Sequence, residues 1–191
     1  MSSRLWLYQG LVAALAVSTV VACTDISRPT DLATNSVNRN AAAALRTVNV
    51  NILDDCDGPS YNAAVGPGTC DRTGGIKFNQ FLSLLTKDQK VDSYRFAPGA
   101  FTVHVGQNIG AVDLGGETHT FTRVAAFGGG LVPLLNDLSG NPTPAPECLT
   151  LPNSEFLSPG MTDMESVSAP GTALFQCCIH PWMRAVVQVV P

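Results

Sequence analysis

Phe175 to Val190 reads FQCCIHPWMRAVVQVV and sets Cys177, His180 and Met183 at steps of three. Phe175 and Cys177 share one face of a short strand, the chain turns through Ile179 to Trp182 around Pro181, and Ala185 to Val190 resumes an apolar β run. A single strand-loop-strand unit therefore offers a thiolate, an imidazole and a thioether to one point. With six Cys, three His and four Met in 191 residues, that spacing arises by chance roughly twice in a thousand such chains, so it is read as a ligand loop. Soft thiolate and imidazole donors suit copper in both oxidation states, and a weak axial thioether avoids the tetragonal geometry that traps Cu(II). The second imidazole of such a set has to come from another part of the fold.

His119 meets that need. The stretch FTVHVGQNIGAVDLGGETHTFTRV reads as a strand, a Gly-Gln-Asn turn, a second strand, the Gly115-Gly116 corner, and then His119 leading into a β run. With Phe96-Ala97-Pro98, Phe101 to Val105, His119 and the Cys177, His180 and Met183 loop in place, residues 94 to 191 resemble the cupredoxin family, the short ligand loop being most similar to that of amicyanins and plastocyanin-type domains. The resemblance implies an all-β fold, a Greek-key β-sandwich or barrel. It implies one type 1 (blue) copper held by His119, Cys177, His180 and Met183, and single-electron transfer between redox partners rather than catalysis. It also implies an exposed edge of His180 as the electron port, with Pro181 and Trp182 as the surface on which redox proteins dock. The alternative reading is a non-redox, copper-holding or envelope-interaction lipoprotein on the same fold. Asp113 stands where many members carry an Asn that orders the ligand loops.

The first residues describe an export signal. Arg4 precedes an apolar run from Leu5 to Ala22, and Val20-Val21-Ala22-Cys23 is similar to a bacterial lipobox in which Cys23 carries lipid. The expected organisation is a lipoprotein signal peptide over 1–22, a flexible tether over 23–46 and a copper domain over 47–191, held at a membrane of the bacterial cell envelope by the lipid on Cys23. The tether reading rests on the polar, Asn- and Ala-rich composition of residues 24 to 46. A formal net charge of −4 and no clusters of Lys and Arg exclude a nucleic-acid surface. Once Cys23 is assigned to lipid and Cys177 to metal, Cys56, Cys70, Cys148 and Cys178 remain, an even number suited to an oxidising compartment. Three connectivities are possible. The preferred one joins Cys56 with Cys70, closing a Gly- and Pro-rich loop, and Cys148 with Cys178; alternation along the strand points Cys178 to the face opposite Cys177.

Elsewhere, Val48 to Ile52 alternates as a strand, and Phe78, Phe81, Leu82 and Leu85 follow the spacing of one amphipathic helix added to the sandwich. Leu131 to Leu135 reads as an apolar anchor between turn-rich loops, and Met161 and Met164 as packing residues. Asp54, Asp55 and Asp57 lack calcium-loop spacing and read as a solvated acidic turn. Glu117 is either an acceptor for a ligand imidazole or an exposed acid. His104 alternates with Phe101, Val103 and Val105 and so faces outward. Three histidines in all leave too few imidazoles for a blue site plus a catalytic copper centre, and a thioether donor argues against zinc hydrolysis.

Overall fold

The structure, a computed structural model, describes residues 46–191. The expectations for residues 1–22, for Cys23 and for the tether lie outside the described residues.

Eight strands form two four-stranded mixed sheets. The first contains β1 (Thr47–Leu53), β2 (Arg95–Ala97), β4 (Asn108–Asp113) and β6 (Thr162–Ser166), in the order β2-β1-β4-β6. The second contains β3 (Ala100–His104), β5 (Thr122–Val124), β7 (Gly171–Gln176) and β8 (Arg184–Val190), in the order β3-β8-β7-β5. β1 runs parallel to β4, and β3 runs parallel to β8; the other pairings are antiparallel. The sheets stay separate, so the architecture is a sandwich and not the closed barrel that was the other form expected.

Alternation explains which faces meet. In β8, Ala185, Val187 and Val189 are buried while Gln188 is exposed, and in β1 Val50 and Ile52 point inward between exposed asparagines. Val103, Ile109, Ala111, Ala173 and Phe175 complete the interior. An aromatic stack crosses it. Phe121 lies 4.4 Å from Phe175 of β7 with nearly parallel rings, and 5.0 Å edge-to-face from Phe96 of β2. Because Phe121 is two residues from His119, the packing of both sheets fixes the chain that carries that histidine.

Three helices are present where one was expected. The expected one is α2 (Phe78–Asp88), which buries Phe81 and Leu85. The additional two are α1 (Gly58–Ala64) and α3 (Pro133–Leu138), each too short to show a helical period. Local chemistry makes them: the Asp57 carboxylate caps α1 by accepting from Ser60 N, and both helices carry a proline in the first turn, where no amide donor is needed. The Leu131 to Leu135 anchor is thus largely α3, with Leu135 inward and Leu134 exposed. Among the described residues, no helix is long and apolar enough to cross a membrane.

Phe121→Ala removes the ring that joins the two sheets. It is expected to cost about 3–5 kcal/mol of unfolding free energy, measured by denaturant titration; a loss under about 1 kcal/mol would show that the stack does not hold the sandwich together.

Candidate metal centre

The site forms at the end of the sandwich where β1, β4 and β7 finish and β8 begins. Cys177 follows β7 directly and Met183 precedes β8 directly, so the antiparallel ladder pins both ends of the loop. Inside the loop Cys177 N donates to Met183 O (3.0 Å), Met183 N to His180 O (2.9 Å), and His180 N points at Cys177 Sγ (3.5 Å). Arg184 reinforces the turn from outside by donating to Pro181 O (2.8 Å) and to the Asn141 side chain. His119 arrives from the other side of the loop. It exchanges backbone hydrogen bonds with Leu157 (2.9 and 2.8 Å), and Thr120 Oγ1 accepts from Cys178 N (2.8 Å), which stitches the two ligand-bearing segments together.

Three candidate ligand atoms converge. His119 Nδ1 is 3.8 Å from Cys177 Sγ, His180 Nδ1 is 3.9 Å from the same sulfur, and the two nitrogens are 3.3 Å apart. A triangle with those sides contains a point about 2.1 Å from every corner, close to the ~2.0–2.3 Å at which first-row metals sit from imidazole nitrogen and thiolate sulfur. All three residues are buried, so the donor set fits a metal ion without rearrangement. Met183 is fully buried in the same core cluster as Cys177, at the end of the loop.

The thiol is available for ligation. The disulfides are Cys56–Cys70 and Cys148–Cys178, and Cys177 is the one free cysteine among the described residues. Cys178 faces away from its neighbour, as the alternation of strand side chains requires. Burial by itself would raise the Cys177 pKa, but hydrogen bonds from His119 and His180 outweigh it and hold the group well below an ordinary thiol. Burial likewise opposes charge on His119; the Asp54 and Cys177 contacts prevail and push its pKa up to about 10.

Asp54 was read as part of a solvated turn, and that expectation is overturned: it is 5% exposed and lies 2.9 Å from His119 Nε2. Burial would raise its pKa, yet the hydrogen bonds from His119 and the Glu117 amide bring it down to about 2. Asp113 is wholly buried beside it, accepts from Gly115 N (2.9 Å) and has its pKa raised by burial to about 6. Glu117 turns toward the other imidazole, its Oε2 3.5 Å from His180 Nε2, and burial raises its pKa.

The expected exposed edge of His180 is absent. His180 is 3% exposed, with Tyr94, Trp182 and Phe81 at ring-centroid distances of 5.1, 5.4 and 6.3 Å, and Pro181 is buried too. The cause is α2 and the segment after it, which bring Phe81 and Tyr94 over the ligand loop. What reaches the ring from outside is an apolar pocket of about 330 Å³, lined by Tyr61, Phe78, Phe81, Leu135, Ile179 and His180, with Val65 and Leu134 among its lining residues. Met161 and Met164 are about half exposed and not packed in the core. His104 is exposed as expected, its Nδ1 2.8 Å from Pro191 O.

No protein-family model matches the chain, and no curated protein does. Solved structures similar to it include a cupredoxin, plastocyanins and amicyanins. A purple cupredoxin from Nitrosopumilus maritimus is 15% identical, with a TM-score of 0.42 over 75% of this chain and 99% of that one. An oxidised plastocyanin from Dryopteris crassirhizoma is 22% identical, with a TM-score of 0.34 over 51% and 89%. A mutant amicyanin in the Cu(I) state is 16% identical, with a TM-score of 0.35 over 50% and 73%.

Cys177→Ser and His180→Ala should each lower Cu²⁺ affinity by more than about 100-fold, beyond the range typical for outer partners of a metal site, whereas His104→Ala should leave it unchanged. Chelator competition measures this; equal affinity in all three variants would move the site elsewhere.

Proposed function

We propose that this chain is a type 1 copper protein of the cupredoxin class that carries single electrons, with His119, Cys177 and His180 as strong ligands and Met183 as the weak axial one. The observation that carries the reading is the buried convergence of two Nδ1 atoms and one thiolate sulfur around a point of metal-ligand dimensions. Bound there, copper would supply a one-electron Cu(I)/Cu(II) couple.

The chain's own residues do the rest. The β7–β8 ladder and the loop hydrogen bonds tie Cys177 to Met183, and Thr120 ties His119 to the same loop, so backbone contacts of the fold position the donor set. Phe81, Tyr94 and Trp182 cover most of the His180 ring, which lowers the polarity of its surroundings. One similar structure is a copper-containing nitrite reductase. A second, catalytic copper centre needs more imidazoles, and the remaining histidine of this chain, His104, sits exposed at the end of β3 with Pro191 as its contact. Electron transfer without catalysis is the reading these residues support.

The route for a redox partner is proposed to be the apolar pocket that ends on His180, in place of a patch at Pro181 and Trp182. Val65 and Leu134, 60% and 55% exposed, are apolar residues that a redox protein's own apolar surface would cover. Attachment through lipid on Cys23 to the bacterial envelope completes the proposal and rests on the sequence of the first 23 residues alone.

The copper-loaded protein is expected to show an intense visible thiolate charge-transfer band, a narrow-hyperfine EPR signal and a reversible one-electron wave in voltammetry. A tightly bound copper that gives no reversible wave would favour the copper-holding alternative. Leu134→Asp should slow electron self-exchange between two copies roughly tenfold, the effect of about 1.4 kcal/mol at the encounter surface, with the visible band unchanged. An unaltered rate would place the port on another face.

A further inference from the structure

We propose that Asp54 is a positioning residue for the metal centre, holding His119 with Nε2 protonated and Nδ1 turned toward Cys177; the proposal deepens the copper reading and rests on it. Asp54 follows the last residue of β1, and its carboxylate reaches under the turn after β4. Its Oδ2 accepts from Gly116 N (2.8 Å), Glu117 N (3.0 Å) and His119 Nε2 (2.9 Å), and its Oδ1 from Cys56 N (3.2 Å).

An ionised carboxylate only accepts hydrogen bonds, so His119 Nε2 must be the donor, and Nδ1 is the nitrogen left to face the sulfur and to give its lone pair to a metal, releasing its proton when one binds. That is the atom 3.8 Å from Cys177 Sγ and 3.3 Å from His180 Nδ1. A buried negative charge behind the ring also increases the electron density that Nδ1 offers a metal, and so favours the higher oxidation state.

The surroundings are built for this contact. Gly115 and Gly116 bring the backbone against the carboxylate so closely that a side-chain carbon on Gly115 would collide with Asp54, and one on Gly116 with Arg72. Arg72 donates to Asp54 O (2.8 Å), and the Cys56–Cys70 disulfide begins two residues after Asp54. Backbone, cation and disulfide all confine a side chain whose one side-chain partner within 3 Å is the ligand imidazole.

Asp54→Asn is the informative change, because an amide oxygen at the Oδ2 position still accepts from Gly116 and Glu117 but carries no charge. Expected results are a Cu²⁺ affinity about 10- to 100-fold lower and a higher reduction potential, with the visible band retained since Cys177 is untouched. Unchanged affinity and potential would overturn the proposal. A second measurement needs neither the variant nor copper: nitrogen-15 NMR of the metal-free wild-type protein should find His119 Nε2 carrying a slowly exchanging, hydrogen-bonded proton. A bare Nε2 would overturn the role of Asp54. If the wild-type protein shows the protected proton but takes up no copper, the copper reading fails and the placement of the ring by Asp54 stands.

Discussion

A thiol and two imidazoles share a space from which water is excluded, and the rest of the structure is arranged around keeping them there. Buried polar groups cost several kcal/mol when unpaired, on the order of 2–7 for a neutral group, so each must find a partner within the protein. Cys177 finds both imidazoles, His119 finds Asp54, and His180 finds Cys177 on one side with Glu117 on the other. These partners come from the end of β1, the turn after β4 and the β7–β8 loop, which the two sheets bring to one end of the sandwich. The fold is therefore the means by which segments more than fifty residues apart satisfy one another.

What was legible in the sequence divides along the same line. The ligand loop could be read because Cys177, His180 and Met183 lie within seven residues of one another, and strand alternation separates Cys178 from Cys177. His119 was visible as an imidazole at a β corner. Asp54 was not, because its role depends on a partner 65 residues away, and three nearby aspartates look like a solvated turn. Two signals did exist: Asp54 directly follows an alternating strand, and the Gly115-Gly116 pair announces a close backbone approach just before a candidate ligand. Neither names the partner; only the parallel register of β1 with β4, which sets Ile52 opposite Asp113, brings them together.

The two unexpected helices show the limit of periodicity. α1 and α3 span seven and six residues, less than two full turns, so no apolar stripe can develop along them. Their signals are the Asp57 cap of α1 and a first-turn proline in each, which are local and easily mistaken for loop chemistry. Yet they bear on the site, since Tyr61 of α1 accepts a 2.7 Å hydrogen bond from the Tyr94 hydroxyl, and Leu134 and Leu135 of α3 line the pocket that ends on His180.

The segment between β1 and β2 adds α1 and α2 to the sandwich, and it touches both histidines. Asp54 at its start holds His119 from behind, while Phe81 of α2 and Tyr94 at its end close over His180. If the segment were only a cap, it would cover the end of the sandwich with apolar surface and leave the ligands to the sheets. Instead it places a buried carboxylate, itself costly to enclose, within hydrogen-bonding distance of one imidazole and packs aromatic rings against the other. Covering His180 with aromatic rings while placing a fixed charge behind His119 acts on the two rings in different ways: one is packed in apolar surface, the other faces a carboxylate. Residues 54 to 94 are thus part of the candidate site's electrostatic environment, acting on His119 and His180 as directly as the β7–β8 loop does.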